Sequence, residues 1–155
     1  MLKKKLKALI YARTHQDAVD YADEPGVEEQ ISRAMDIVKD SDMLLADVYA
    51  DEGFDGLALQ RPGFLEMLDA IIAGEADVIV VDDICRISDN MLELAYIMTD
   101  ILPEMDAGLA FKELSVQTDA PGQEMDNLMD VIKSYVEGKD DSEMPTPVIS
   151  IGYVG

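Results

Sequence analysis

Short apolar runs alternate along the chain with stretches in which apolar residues recur every three or four positions. Residues 6–12, Leu-Lys-Ala-Leu-Ile-Tyr-Ala, read as a short buried strand. A polar stretch ending in Asp23-Glu24-Pro25-Gly26 reads as a loop, and residues 27–39 then place apolar side chains at 27, 31, 34, 35 and 38, the spacing of one helix face. Residues 44–49 predict a second strand that runs into the turn-rich Asp51-Glu52-Gly53-Phe54-Asp55-Gly56. Pro62 suits a first helical position, and the helix it opens carries Phe64, Leu65, Leu68, Ile71 and Ile72 before Gly74 closes it. Residues 78–81, Val-Ile-Val-Val, form a continuous apolar run that suits a strand buried on both faces. Residues 90–102 predict a helix ended by Pro103, residues 108–114 a fourth strand, and residues 122–137 a last helix.

Strand and helix alternate with connections too long for hairpins. The expected fold class is therefore α/β: an open, mostly parallel sheet of about four to five strands, flanked by helices in three layers. In such folds ligands lie outside the carboxyl ends of the strands, which directs attention to the segments after Tyr11, Tyr49 and Val81. Residues 1–138 read as one domain. Residues 139–155 break the pattern with a polar run, then Pro145 and Pro147, then an apolar stretch at 148–154. That stretch fits an added strand, an ordered tail or a segment docking on a neighbour.

Composition narrows the partners. The 155 residues include 33 Asp and Glu against 12 Lys and Arg, a formal net charge of −21, and Lys3, Lys4, Lys5 and Lys7 hold a third of the positive charge at one end. Gripping duplex DNA takes Lys and Arg to displace counterions from phosphates, and this charge balance opposes it at long range. A surface selected for solubility accounts for the acidity; a chain for which DNA is no longer the ligand, or one whose surface imitates DNA, accounts for it as well. Cys85 is the sole cysteine, so no intrachain disulfide can form and a cytoplasmic setting is expected. No apolar run is long enough to cross a membrane, and the apolar residues 8–11 end at Arg13, too short for a signal-peptide core.

Three strand-end segments resemble the serine recombinases, the resolvase/invertase family. Tyr11-Ala12-Arg13-Thr14-His15 stands where that family has Tyr-Ala-Arg-Val-Ser, with Gln30 following on the next helix. Asp51-Glu52-Gly53-Phe54-Asp55-Gly56 with Arg61-Pro62-Gly63-Phe64 resembles the family's acidic Gly-rich loop and its Arg-Pro. Cys85-Arg86-Ile87-Ser88-Asp89-Asn90 stands where the family reads Asp-Arg-Leu-Ser-Arg-Asn, and Thr118, Pro121 and Gly122 match the approach to its long last helix. The joint match spans about residues 6–137.

The resemblance implies a site for DNA cleavage and rejoining, in which a serine hydroxyl attacks a phosphodiester while arginines clamp the phosphate oxygens. It assigns Tyr11, Arg13, Gln30, Asp51, Arg61 and Arg86 to that site as retained residues. It also assigns three substitutions: His15 at the nucleophile position, Cys85 for an acidic residue and Asp89 for an arginine. A carboxylate at a phosphate clamp repels the oxygens that an arginine attracts. The expected function is thus a catalytically inactive homologue acting through protein contacts, with a second copy or an active recombinase as partner. The alternatives are residual recombinase or nicking activity with an altered nucleophile, His15 included, and DNA binding without cleavage.

No cofactor and no metal are expected. His15, Cys85 and Asp89 are of zinc-ligating types but come from different loops without close ligand spacing, and the Asp82-Asp83 pair at a strand end reads as solvating that end rather than holding a cation. No helix-turn-helix, zinc ribbon or basic arm follows residue 138, so no C-terminal DNA-binding domain is expected. Ten methionines, several on the last two predicted helices, suit core packing or an adaptable contact surface.

Overall fold

The computed structural model describes residues 5–17, 19, 21–117 and 150–154, and the helix expected at 122–137 lies outside the described residues. Along the chain run β1 (Lys7–Arg13), α1 (Val27–Asp40), β2 (Leu44–Asp51), α2 (Pro62–Ile72), β3 (Val78–Asp83), α3 (Met91–Tyr96), β4 (Gly108–Gln117) and β5 (Ser150–Val154). The strands form one parallel sheet in the order β2-β1-β3-β4-β5.

Alternation along the central strands divides the core into two layers. Ala8 and Ile10 of β1 and Val78 and Val80 of β3 face α1, meeting Ala34 and Val38. Leu9, Tyr11, Ile79 and Val81 face the other way, onto Phe64, Met67 and Ile71 of α2 and onto Leu94 of α3. The larger cluster on this second side explains why β3 reads as an unbroken apolar run: all six of its residues are buried.

β2 forms one margin of the sheet. Its pairing with β1 slips by one residue, since Ala8 lies opposite Leu45 while Leu9 lies opposite Asp47, so Ala46 is an extra residue.

Three helical segments end alike. Asp42 and Asp106 (φ 55° each) and Gly74 (φ 80°) adopt the left-handed conformation. Around each, a main-chain bond reaching back five residues closes the last turn: Met43 N–H to Val38 C=O, Glu75 N–H to Ala70 C=O, and Ala107 N–H to Leu102 C=O.

Pro103 does not end its helix, contrary to the sequence expectation. α3 passes into a wider π turn at Ile97–Ile101 and then a closing turn, Leu102–Glu104, that contains the proline. The wider turn makes room for a residue that lacks an N–H and crowds the preceding carbonyls. The helix ends instead at Glu104, with Met105 as its cap and Asp106 turning the chain away.

Candidate functional site

β1 and β3 are neighbours in the sheet, yet the chain leaving β1 goes on to β2 on one side and that leaving β3 to β4 on the other. This is the switch point of the sheet, where the loops of an open α/β fold diverge and leave a ligand crevice at the strand ends. The described site residues converge on it, and most of their polar atoms are matched within the protein.

Gln30 fixes the end of β1. The last β1–β3 pair is Ile10 with Val80, so Arg13 lies past it. There the fully buried Gln30 side chain accepts from Arg13 N–H (2.9 Å) and donates to Arg13 C=O (3.0 Å) and Pro25 C=O (2.8 Å).

Asp51 fixes the start of α2. Its carboxylate accepts from Gly63 N–H (2.8 Å) and Phe64 N–H (3.0 Å), two of the donors a helix N-terminus leaves open, and from the Tyr11 hydroxyl (2.7 Å). The approach requires glycine: a Cβ on Gly63 would lie 2.7 Å from Ala50 C=O and 2.8 Å from the Asp51 carboxylate. Tyr11 packs edge-on to Phe64, and burial raises its phenol above the ordinary range, outweighing Arg61 beside it, so it stays protonated.

The three arginines are buried and turned inward. Arg61 donates from Nη1 to Arg86 C=O (3.1 Å) and the Tyr11 hydroxyl (3.3 Å) and from Nη2 to Gly56 C=O (3.2 Å), while its Nε is buried without a partner among the described residues. Arg86 grips Asp82 with two bonds, from Nε (2.9 Å) and Nη2 (3.2 Å), and its Nη1 lies 3.7 Å from Glu24. Arg13 donates from Nη2 to Cys85 C=O (2.6 Å) and from Nε to Arg86 C=O (3.3 Å). Arg13 Nη1 meets Asp89 (3.2 Å) and His15 Nε2 (2.7 Å) and donates to Phe54 C=O (3.4 Å).

His15 is held on every side. Its Nδ1 faces Glu24, its Nε2 faces Asp89, its main-chain N–H donates to Glu24 (2.9 Å), and its ring stacks flat on Tyr21 at 3.6 Å. Only 6% of the side chain is exposed, against 45% for Asp89. Burial pushes the Asp89 carboxyl up, but the hydrogen bond from His15 and the charge of Arg13 more than reverse this and hold it at about 2. The Cys85 thiol is pushed above its ordinary range by burial and then by Asp83, against the opposing charge of Arg86.

The structure therefore brings Tyr11, Arg13, His15, Gln30, Asp51, Arg61, Cys85, Arg86 and Asp89 to one crevice. The Asp82-Asp83 pair departs from expectation: both residues are buried rather than solvating a strand end, and Asp82 is the partner of Arg86. Three further carboxylates belong to the network. Glu24 brackets His15, Asp82 holds Arg86, and buried Glu93 ties two loops by accepting from Ala58 N–H (2.8 Å) and the Ser88 hydroxyl (2.8 Å). The Asn90-x-x-Glu93 spacing of a helix start signals Glu93, and Asn90 does cap Glu93 N–H (2.9 Å). Among the described residues no group of three or more His, Cys, Asp and Glu side chains is arranged to hold a metal ion, and no helix is long and apolar enough to cross a membrane.

The family profile described as "Resolvase, N terminal domain" matches residues 8–140. No curated protein matches the chain. Among solved structures, the N-terminal catalytic domain of TP901-1 integrase is similar at 23% identity with a TM-score of 0.60, over 68% of this chain and 75% of that one. The C-terminal catalytic domain of ISC1926 TnpA, an IS607-like serine recombinase, is 21% identical with a TM-score of 0.57, over 86% and 84%. A resolvase family site-specific recombinase from Streptococcus pneumoniae is 19% identical with a TM-score of 0.57, over 86% and 90%. At these identities the likeness is one of fold.

Proposed function

Because this chain belongs to the resolvase N-terminal domain family, we propose that it is a catalytically inactive homologue of a site-specific serine recombinase, acting through protein contacts. The observation that carries this reading is the position of Asp89, whose carboxylate sits on Arg13 Nη1 and on His15. A phosphate oxygen would have to displace a tethered carboxylate that stays ionised at any working pH. Arg61 and Arg86 cannot take over the clamp without abandoning main-chain carbonyls and Asp82.

His15 is poorly placed as a replacement nucleophile. Attack needs an accessible lone pair, and both ring nitrogens face carboxylates in a nearly buried side chain. The net charge of −21 argues the same way against DNA as ligand.

Supercoiled plasmid and a denaturing gel test the proposal. The expected result is neither nicking nor a covalent protein–DNA adduct, and no gel shift at physiological salt. An adduct that disappears in His15→Ala overturns it. The protein-contact half is tested by ultracentrifugation of the chain alone and mixed with an active serine recombinase; a strictly monomeric chain without affinity for the recombinase overturns that half.

A further inference from the structure

Four large apolar side chains stand in solvent around the crevice: Val19 and Leu92 (84% exposed each), Leu57 (40%) and Phe54 (36%). They come from the loops after β1 and β2 and from the first turn of α3, which follows the loop after β3. Those loops are fastened together by Phe54 N–H to Thr14 C=O (2.8 Å), Gln16 N–H to Asp55 (3.1 Å), His15 to Asp89 and Ala58 N–H to Glu93 (2.8 Å). Scattered exposed apolar residues are ordinary, but these share one edge of the sheet on a braced framework.

The charge around them is of one sign. Asp17, Glu52, Asp55 and Asp89 are exposed beside the apolar group, and residues 14–26, 52–60 and 87–92 contain no Lys or Arg. The three arginines of the crevice lie beneath, spent on carbonyls and carboxylates. The rim is therefore apolar studs among exposed carboxylates.

We propose that this rim docks a partner protein through a segment in which Lys or Arg alternates with apolar side chains. The studs supply the buried contact and the carboxylates supply steering and register. Duplex DNA fits poorly because its phosphates repel the field. A second copy docking by the same face brings like charges together. The proposal rests on the non-cleaving, protein-contact reading and names the surface and the partner's chemistry.

The test titrates the full chain, at physiological salt, with a short peptide alternating Lys with Leu and Phe. Two control peptides carry Glu for each Lys, or Gly for each Leu and Phe. Expected are amide shift changes concentrated at residues 53–57 and 89–92, and no comparable binding by either control. Asp17→Lys/Glu52→Lys/Asp55→Lys weakens binding by roughly tenfold. Asp36→Lys/Asp40→Lys/Asp69→Lys, with the same change in net charge at the far ends of α1 and α2, weakens it less than about twofold. Phe54→Ser/Leu92→Ser keeps the charge and also weakens binding, which covers a failure of the triple variant to fold. Equal losses from the two charge reversals, equal binding by the Gly control, shifts spread over the acidic helices, or occupation of the rim by a DNA duplex or a second copy overturns the proposal. Plasmid nicking would sink the non-cleaving reading and leave the titration result standing, so the two failures are distinguishable.

Discussion

The Gln30 side chain stands in for a strand at Arg13, accepting from its N–H at 2.9 Å and donating to its C=O at 3.0 Å. β3 has already parted from β1 at that point, and nothing else described reaches those two main-chain groups. Gln30→Leu keeps the bulk and removes three hydrogen bonds, leaving both groups buried and unpaired. We expect a loss of about 2–4 kcal/mol in urea unfolding. A loss under about 0.5 kcal/mol, within the range of an indifferent surface change, would show that water replaces the amide.

Gly63 is where backbone and carboxylate come closest. Gly63→Ala places a Cβ 2.7 Å from Ala50 C=O and 2.8–2.9 Å from both Asp51 oxygens, none of which is the end of a flexible chain. The expected cost is about 1–3 kcal/mol, with faster amide exchange at Phe64 as the Asp51 cap loosens. Unchanged unfolding and exchange would mean that α2 shifts freely on the sheet.

Asp89 makes stability depend on acid. Its folded-state value of about 2 lies below its ordinary 3.8. The contribution is therefore fully present above about pH 4 and is lost as pH falls toward 2. The stability gap between the chain and Asp89→Asn should narrow across that window and stay constant from pH 5 to 7. Because the side chain is 45% exposed, solvent screening keeps the gap modest. A gap that does not move with pH between 4 and 2 contradicts the Arg13–His15–Asp89 contact.

Cys85 should be a sluggish thiol. Burial and the neighbouring Asp83 disfavour its thiolate, so at pH 8 its alkylation by iodoacetamide is expected to run roughly tenfold or more behind that of glutathione. A rate equal to glutathione's would place the sulfur in open solvent.

Much of the fold was legible because each element carried a complete local signal. β3 opens on four unbroken Val and Ile residues, α2 has Pro62 at its start and Gly74 past its end, and α1 repeats its apolar face from Val27 to Val38. Helix ends made with aspartate were not legible: Asp42 and Asp106 adopt a conformation that favours glycine, and nothing in their neighbours announces it. Pro103 misled because its usual meaning, a stop, was absorbed by a wider turn three-dimensional packing allows. At the crevice, motif order and strand-end position were enough to place Arg13, Arg61 and Arg86. Their partners were not legible. Glu24 reaches His15 by a loop folding back over nine residues, and Glu93 reaches Ala58 from 35 residues away. Such contacts depend on where loops return, which no local pattern encodes.

The extra residue at Ala46 bends the outer strand where its neighbours Leu44 and Leu45 are exposed and Asp42 and Asp47 flank them. A straight apolar margin of that kind would be a template for fibrils. Kinked and charged, it gives an incoming strand neither a continuous ladder nor a neutral surface to lie on. At this margin the protein is built to tolerate crowding, so concentrated solutions should remain free of fibrils seeded there.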